Sequence, residues 1–198
     1  MVKNKVKYNL KNAHYAMLTV DEEGTASYAP PVALPGAVSI SLDANGEPEN
    51  FYADGVAYYV INNNMGYDGD LELAMIPEDF RVSALNETLD DKKVLIENAN
   101  TELNPFALLF EFDGDVKHIR HVLYNCSASR PGIEGKTNEE NREVQTETLS
   151  IKATPLASGV VKAKTGDSTD ATVYADWYKA VYMPSIAETG SGTDQAGV

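Results

Sequence analysis

The stretch "FEFDGDVKHIRHVLYNCSASRP", residues 110–131, holds two of the three histidines, the single cysteine, Asp113, Asp115, Arg120 and Arg130. Imidazole, thiol and carboxylate together are the groups of a metal centre or of a nucleophile and its base. Their spacing argues against both. "FALLFEF" puts Phe106, Leu108, Phe110 and Phe112 on one face, Asp113-Gly114 reads as a hairpin turn, and the return strand alternates Val116, His118, Arg120, Val122, Tyr124 and Cys126. His121 then falls on the face opposite His118, so the two histidines cannot chelate one metal. Cys126 shares a face with His118 but lies ~26 Å along an extended strand at about 3.3 Å per residue. Cys126 therefore reads as a small core residue.

Other chemical motifs are weaker still. "DGD" at 68–70 and 113–115 pairs carboxylates that could hold Ca²⁺, but the remaining ligands of a calcium loop are missing and both copies sit between strand patterns, as turns do. There is no G-x-S-x-G, P-loop or H-E-x-x-H. Asn86-Glu87-Thr88 and Asn125-Cys126-Ser127 match a glycosylation acceptor, which means little without a secretion signal.

The elements that would position such groups are mostly strands. "AVSISLDANG" turns Val38, Ile40 and Leu42 to one face and Ser39, Ser41 and Asp43 to the other, ending in Asn45-Gly46. "DLELAM" points Leu71, Leu73 and Met75 inward with Asp70 and Glu72 outward, and "TETLSIKATP" repeats the pattern with Leu149, Ile151 and Ala153. Residues 57–62 and 160–165 are weaker strands. "IPEDFRVSALNE" predicts a helix, with Pro77 at a tolerated first position, Glu78 and Asp79 in the first turn, and Phe80, Ala84 and Leu85 at helical spacing. A second helix, 172–182, places Val173, Trp177 and Val181 on one stripe beside Tyr174, Tyr178 and Tyr182, and Pro184 stops it. That aromatic stripe packs on a sheet or on a neighbouring subunit.

At 198 residues and 43% hydrophobic content the chain fits one domain with a sizeable core. Its formal charge is −14, which opposes a surface that grips nucleic-acid phosphate. Lys3, Lys5, Lys7 and Lys11 are the only charges in the first twenty residues, so residues 21–198 carry 12 basic against 30 acidic groups, a balance of −18. Those lysines alternate with Val2, Val6, Tyr8 and Leu10 with no apolar run after them, unlike a signal peptide, and no run approaches the ~20 apolar residues of a membrane helix. One cysteine allows no internal disulfide, as expected of a chain made in a reducing cytoplasm.

Three stretches look irregular. Residues 43–57, "DANGEPENFYADGVA", carry Phe51 and Tyr52, which a solvated loop has no reason to hold, and suggest a contact arm. Residues 129–145 form a charged excursion, and the last stretch, 185–198, is small and polar, as flexible tails are.

The run "NLKNAHYAMLT", the block "PVALPGAVSISLDANGEPENFYADGVAYYV", "GYDGDLELAMIPEDF", "FALLFEFDGDVKHIRHVLYNCSASRP", "VQTETLSIKATPL" and "DATVYADWYKAVYMP" together resemble the major tail tube protein of long, non-contractile-tailed phages of Gram-positive hosts. The similarity runs from about residue 3 to 184 and rests on the order and spacing of the blocks. It implies a mainly β, antiparallel sandwich or barrel of the tail-tube type over residues 1–184, with one or two short flanking helices. Six subunits would form a ring, and rings would stack into a hollow tube that conducts genomic DNA into the host. No cofactor and no catalysis are implied. The implied partners are further copies of the chain, tail-tip initiator and tail-terminator proteins, a tape-measure protein in the lumen, and double-stranded DNA in transit, with no membrane insertion. The place implied is the virion tail, assembled in the host cytoplasm. No stretch resembles the immunoglobulin-like surface domain that some relatives append.

On this picture Asp70, Glu72 and Glu111 are expected to line the lumen, where an acidic wall repels DNA and lets it slide. Loop 43–57 matches in position the arm extended to an adjacent ring, so Phe51, Tyr52, Asp54, Tyr58, Tyr59 and Trp177 are expected at subunit interfaces. Two other readings stay open: a carbohydrate-binding or adhesin sandwich using aromatic platforms, and a tube subunit of a bacterial injection system.

Overall fold

Period-two alternation builds most of the molecule. The computed structural model describes residues 3–137 and 143–185; the expectations for residues 138–142 of the charged excursion and for the tail from 186 onward lie outside the described residues. In chain order the strands are β1 (Lys7–Val20), β2 (Ala26–Tyr28), β3 (Val32–Ala33), β4 (Ala37–Asn45), β5 (Glu49–Ala53), β6 (Val56–Ile61) and β7 (Gly66–Leu73). Helix α1 (Glu78–Ser83) follows, then β8 (Thr88–Leu89), β9 (Leu95–Ile96), β10 (Phe106–Gly114), β11 (Ile119–Ala128), β12 (Glu147–Ala153), β13 (Lys162–Lys164) and helix α2 (Ala171–Asp176).

Among the described residues nine strands form one sheet in the order β2-β1-β10-β11-β12-β7-β4, with β3 added to β1 and β13 to β11. Every pairing is antiparallel. The chain is thus mainly β with two short helices, the sandwich-type architecture expected.

The sheet curls around one core, where Leu71, Leu73, Leu149, Ile151, Phe106 and Phe80 are almost fully buried. Phe80 enters from α1 and meets Tyr15 and Phe106 edge-on, at ring-centroid distances of 5.0 and 5.3 Å. A second core lies on the opposite face of β1, β10 and β11, where Leu109, Val122 and Tyr124 pack under Trp177. β10 is consequently buried on both faces, which explains why Ala107 and Leu109 between its aromatics are apolar as well.

Bulges correct several side-chain directions. Phe106 pairs with Cys126 while Leu108 pairs with Leu123, so the extra residue in β11 turns Cys126 into the first core and away from Tyr124. An irregularity between Ala37 and Ser39 likewise puts Ala37 inward and leaves Val38 half exposed. β7 ends at Leu73, and Met75, expected inward, is 72% exposed where the chain turns toward α1. Val116 and His118 precede β11 in a connecting loop and do not belong to its alternation. The second helix is shorter than the expected 172–182, and Asp170 caps its start by accepting hydrogen bonds from the Thr172 and Val173 amides.

Candidate interaction surfaces

The segment expected as an irregular loop over 43–57 is ordered differently. Asp43 and Asn45 extend β4, and β5 and β6 form a separate hairpin between β4 and β7. Its turn is Asp54-Gly55, both at positive φ (52° and 78°), the turn geometry that matches strand twist and that Asp-Gly favours. Phe51 pairs with Tyr59, and Tyr52 with Ala57. Because successive side chains alternate, both faces of the hairpin carry large apolar groups. Phe51, Tyr52, Tyr58 and Tyr59 are 57%, 65%, 72% and 64% exposed, and Val56, Val60 and Ile61 are exposed with them. An isolated two-stranded hairpin is marginal in water, and this one has neither face on a core.

A polar sheet face lies across β4, β7 and β12. Ser41, Asp70 and Ser150 form one cross-strand row, and Ser39, Glu72 and Thr148 the next. Ser150 donates to Asp70 at 2.8 Å; Ser39 and Thr146 donate to Glu72 at 2.8 and 2.6 Å and hold its carboxyl below the usual range, Thr146 most strongly. Asp68 continues the line and accepts from Asn45 at 2.6 Å. Three carboxylates at every second position of β7 thus point off one face, with hydroxyls opposite Asp70 and Glu72 and with Asp43 and Lys152 opposite Asp68.

Glu111, expected on such a face, is 2% exposed and sits beneath α2. It accepts from Asn12 at 2.6 Å, from Arg120 Nε at 3.0 Å and from the Tyr178 hydroxyl at 3.3 Å. The Arg120 guanidinium lies 3.9 Å from the Tyr174 ring centroid and donates to the Tyr174 carbonyl. This buried pair clamps α2 to the sheet, and the side chain lines no solvent-facing wall. Trp177, expected at an interface, packs inside its own chain at 2% exposure, donates toward the His121 carbonyl at 3.4 Å and stacks on Tyr182. The helical aromatic stripe therefore covers the chain's own sheet.

Nothing gathers Cys126 and the histidines into a reaction centre. Cys126 is fully buried, which pushes its thiol pKa up to about 12. His118 lies in the turn, its Nδ1 2.7 Å from Asp113. His121 stacks flat on Phe110 at 5.1 Å and lines a cavity of about 340 Å³ with Ile40, Leu42, Tyr67 and Phe112. Lys7 and Lys162 stand at that cavity, each over an aromatic ring, Phe112 at 4.5 Å and Tyr67 at 4.1 Å. Burial, then Lys164, Lys7 and Lys162, depress the His121 pKa to about 4. The sequence reading missed this lysine-rimmed cavity, whose signal was the alternate-residue lysines at 3, 5 and 7 and again at 162 and 164. Among the described residues no group of three or more His, Cys, Asp or Glu side chains is placed to hold a metal ion, and no helix is long and apolar enough to cross a membrane.

No protein-family model matches the chain. No curated protein matches it either. Among solved structures, one described as "Structure of a type six secretion system protein" matches with a TM-score of 0.37 and 13% identity, covering 78% of this chain and 91% of that one. At that level the likeness bears on neither family nor function.

Proposed function

We propose that the chain is a self-assembling structural subunit whose rings stack into the hollow tail tube of a long, non-contractile-tailed phage. The observation that carries this reading is the β5–β6 arm, which exposes aromatics on both faces with neither face on a core, as a segment that docks on another molecule does. The ordered blocks resembling major tail tube proteins support it. In this reading six copies close a ring and remove the unpaired edges of the sheet, and no cofactor or covalent chemistry is involved. The partners are copies of the chain, a tail-tip initiator, a terminator, a tape-measure protein and DNA in transit. The carboxylates of β7, Asp68, Asp70 and Glu72, face the bore.

A sugar-binding module fits the arm less well, because a sugar platform needs its aromatics on one flat face. Negative-stain electron microscopy and light scattering of the purified protein at rising concentration test the proposal. Stacked rings or hollow tubes are expected; monomers alone, even with tail-tip proteins added as nucleators, overturn it.

A further inference from the structure

The arm needs a receiver, and the molecule contains a surface of matching chemistry. From Asn12 to Phe80 the sequence has no lysine or arginine, while the arm and its root carry Asp43, Glu47, Glu49 and Asp54. The arm is therefore acidic and aromatic. The cavity between β4, β7, β10 and β11 is the reverse: its wall is Ile40, Leu42, Tyr67, Phe110 and Phe112, and Lys7 and Lys162 stand at it. Neither lysine, nor Lys164 beside His121, has an ion pair among the described residues. Among the described residues only Lys11 and Lys179 of the lysines form ion pairs, so what sets Lys7 and Lys162 apart is their place over aromatic rings at the rim of an apolar cavity.

We propose that this cavity receives the β5–β6 arm of a second copy of the chain, with an arm aromatic entering the aromatic wall while Glu49 and Asp54 meet Lys7 and Lys162. The contact deepens, and rests on, the reading of the chain as a tube subunit. It is heterologous: each copy offers an arm and a cavity, so the contact closes a ring or propagates a column and does not stop at a pair. Charge complementarity of this kind sets register and rejects wrong partners.

Sedimentation velocity on the full chain at rising concentration tests it. The parent is expected to associate. Lys7→Glu with Lys162→Glu, and separately Glu49→Lys with Asp54→Lys, are each expected to weaken association about tenfold or more through like-charge opposition. All four are surface positions, so circular dichroism is expected to show both variants folded as the parent. Mixed in equal amounts, the two variants recover association, because each arm then meets a cavity of opposite charge. Association indifferent to either reversal, a mixture as weak as its components, or a parent that stays monomeric because its arm folds onto its own cavity each overturn the proposal. Hollow tubes that ignore the lysines would leave the tube reading standing without this contact. Lysine-dependent association that never yields rings or tubes would do the opposite.

Discussion

Removing the Glu111 carboxylate would strand Arg120 in the space between β10 and α2, where its side chain is 16% exposed. Breaking one half of a buried ion pair costs ~3–5 kcal/mol, more than the pair contributes relative to a well-packed apolar substitute. We therefore expect Glu111→Ala to lower the urea midpoint sharply, and Glu111→Leu combined with Arg120→Met to recover most of the loss. Equal losses in the single and double variants would show that packing, not stranded charge, sets the cost. His121 makes a second residue-scale prediction. Its ring faces Phe110 and Phe112 on β10, Lys7 on β1, and Lys162 and Lys164 on β13. With its pKa near 4 in the fold against about 6.5 unfolded, the unfolded chain binds more protons between those values. Stability thus falls on acidification from about pH 6.5 to 4, by up to ~3 kcal/mol from this group. His121→Phe is expected to flatten that part of the profile measured by chemical denaturation across pH.

Strands and turns are the scale at which the sequence was most legible. Alternation located β4, β7, β10, β11 and β12, and Pro77 with its acidic first turn located α1. What alternation cannot show is an extra residue. The bulge opposite Ala107 reverses Cys126, the one beside Ala37 exposes Val38, and Asn9 and Asn12 at positive φ interrupt β1 so that their amides reach Asp113 and Glu111. Glu111 and Trp177 were misplaced for a related reason: a polar residue in an alternating strand reads as solvent-facing, and only the tertiary packing of α2 shows that the outer face of β10 is covered. Phe51 and Tyr52 marked the segment that the structure shows as an exposed hairpin, though its paired strands run further than the expected loop, to Ile61. Gly69 gives a test at this scale. A Cβ there would lie 1.9 Å from the Ser41 carbonyl oxygen, in the middle of three paired strands. Gly69→Ala is expected to cost ~1–3 kcal/mol by forcing β4 away from β7, read as a lower thermal midpoint. An unchanged midpoint would mean that the strands separate there without loss. Phe51→Ala, by contrast, touches no core, and is expected to leave thermal stability within ~0.5 kcal/mol while abolishing tube growth in electron micrographs.

At the scale of the whole molecule, the distribution of charge matters more than its sum. Lys7, Lys162 and Lys164 gather around the His121 cavity, whereas the β4–β7–β12 face presents Asp43, Asp68, Asp70 and Glu72 with hydroxyls and the single Lys152. DNA in a bore walled by that face would be held off on all sides, since phosphate contacts supply most non-specific affinity and carboxylates provide none. In the proposed ring six subunits would multiply each substitution sixfold around the wall, so a modest change per chain would become a ring of charge. Asp70→Lys with Glu72→Lys is therefore expected to leave the subunit folded and assembling, because Asp70 is exposed and the Glu72 carboxylate, among the described residues, bonds only to the Ser39 and Thr146 hydroxyls. The same variant is expected to make assembled tubes retain DNA at low salt and release it as salt rises, as counterion release requires. Particles carrying it should deliver DNA more slowly than the parent, whereas Asp70→Asn with Glu72→Gln, which removes charge without adding attraction, should fall between the two. Tubes that retain no DNA after reversal would place this face on the outside of the assembly, and the bore would then have to be sought on the opposite side of the sheet.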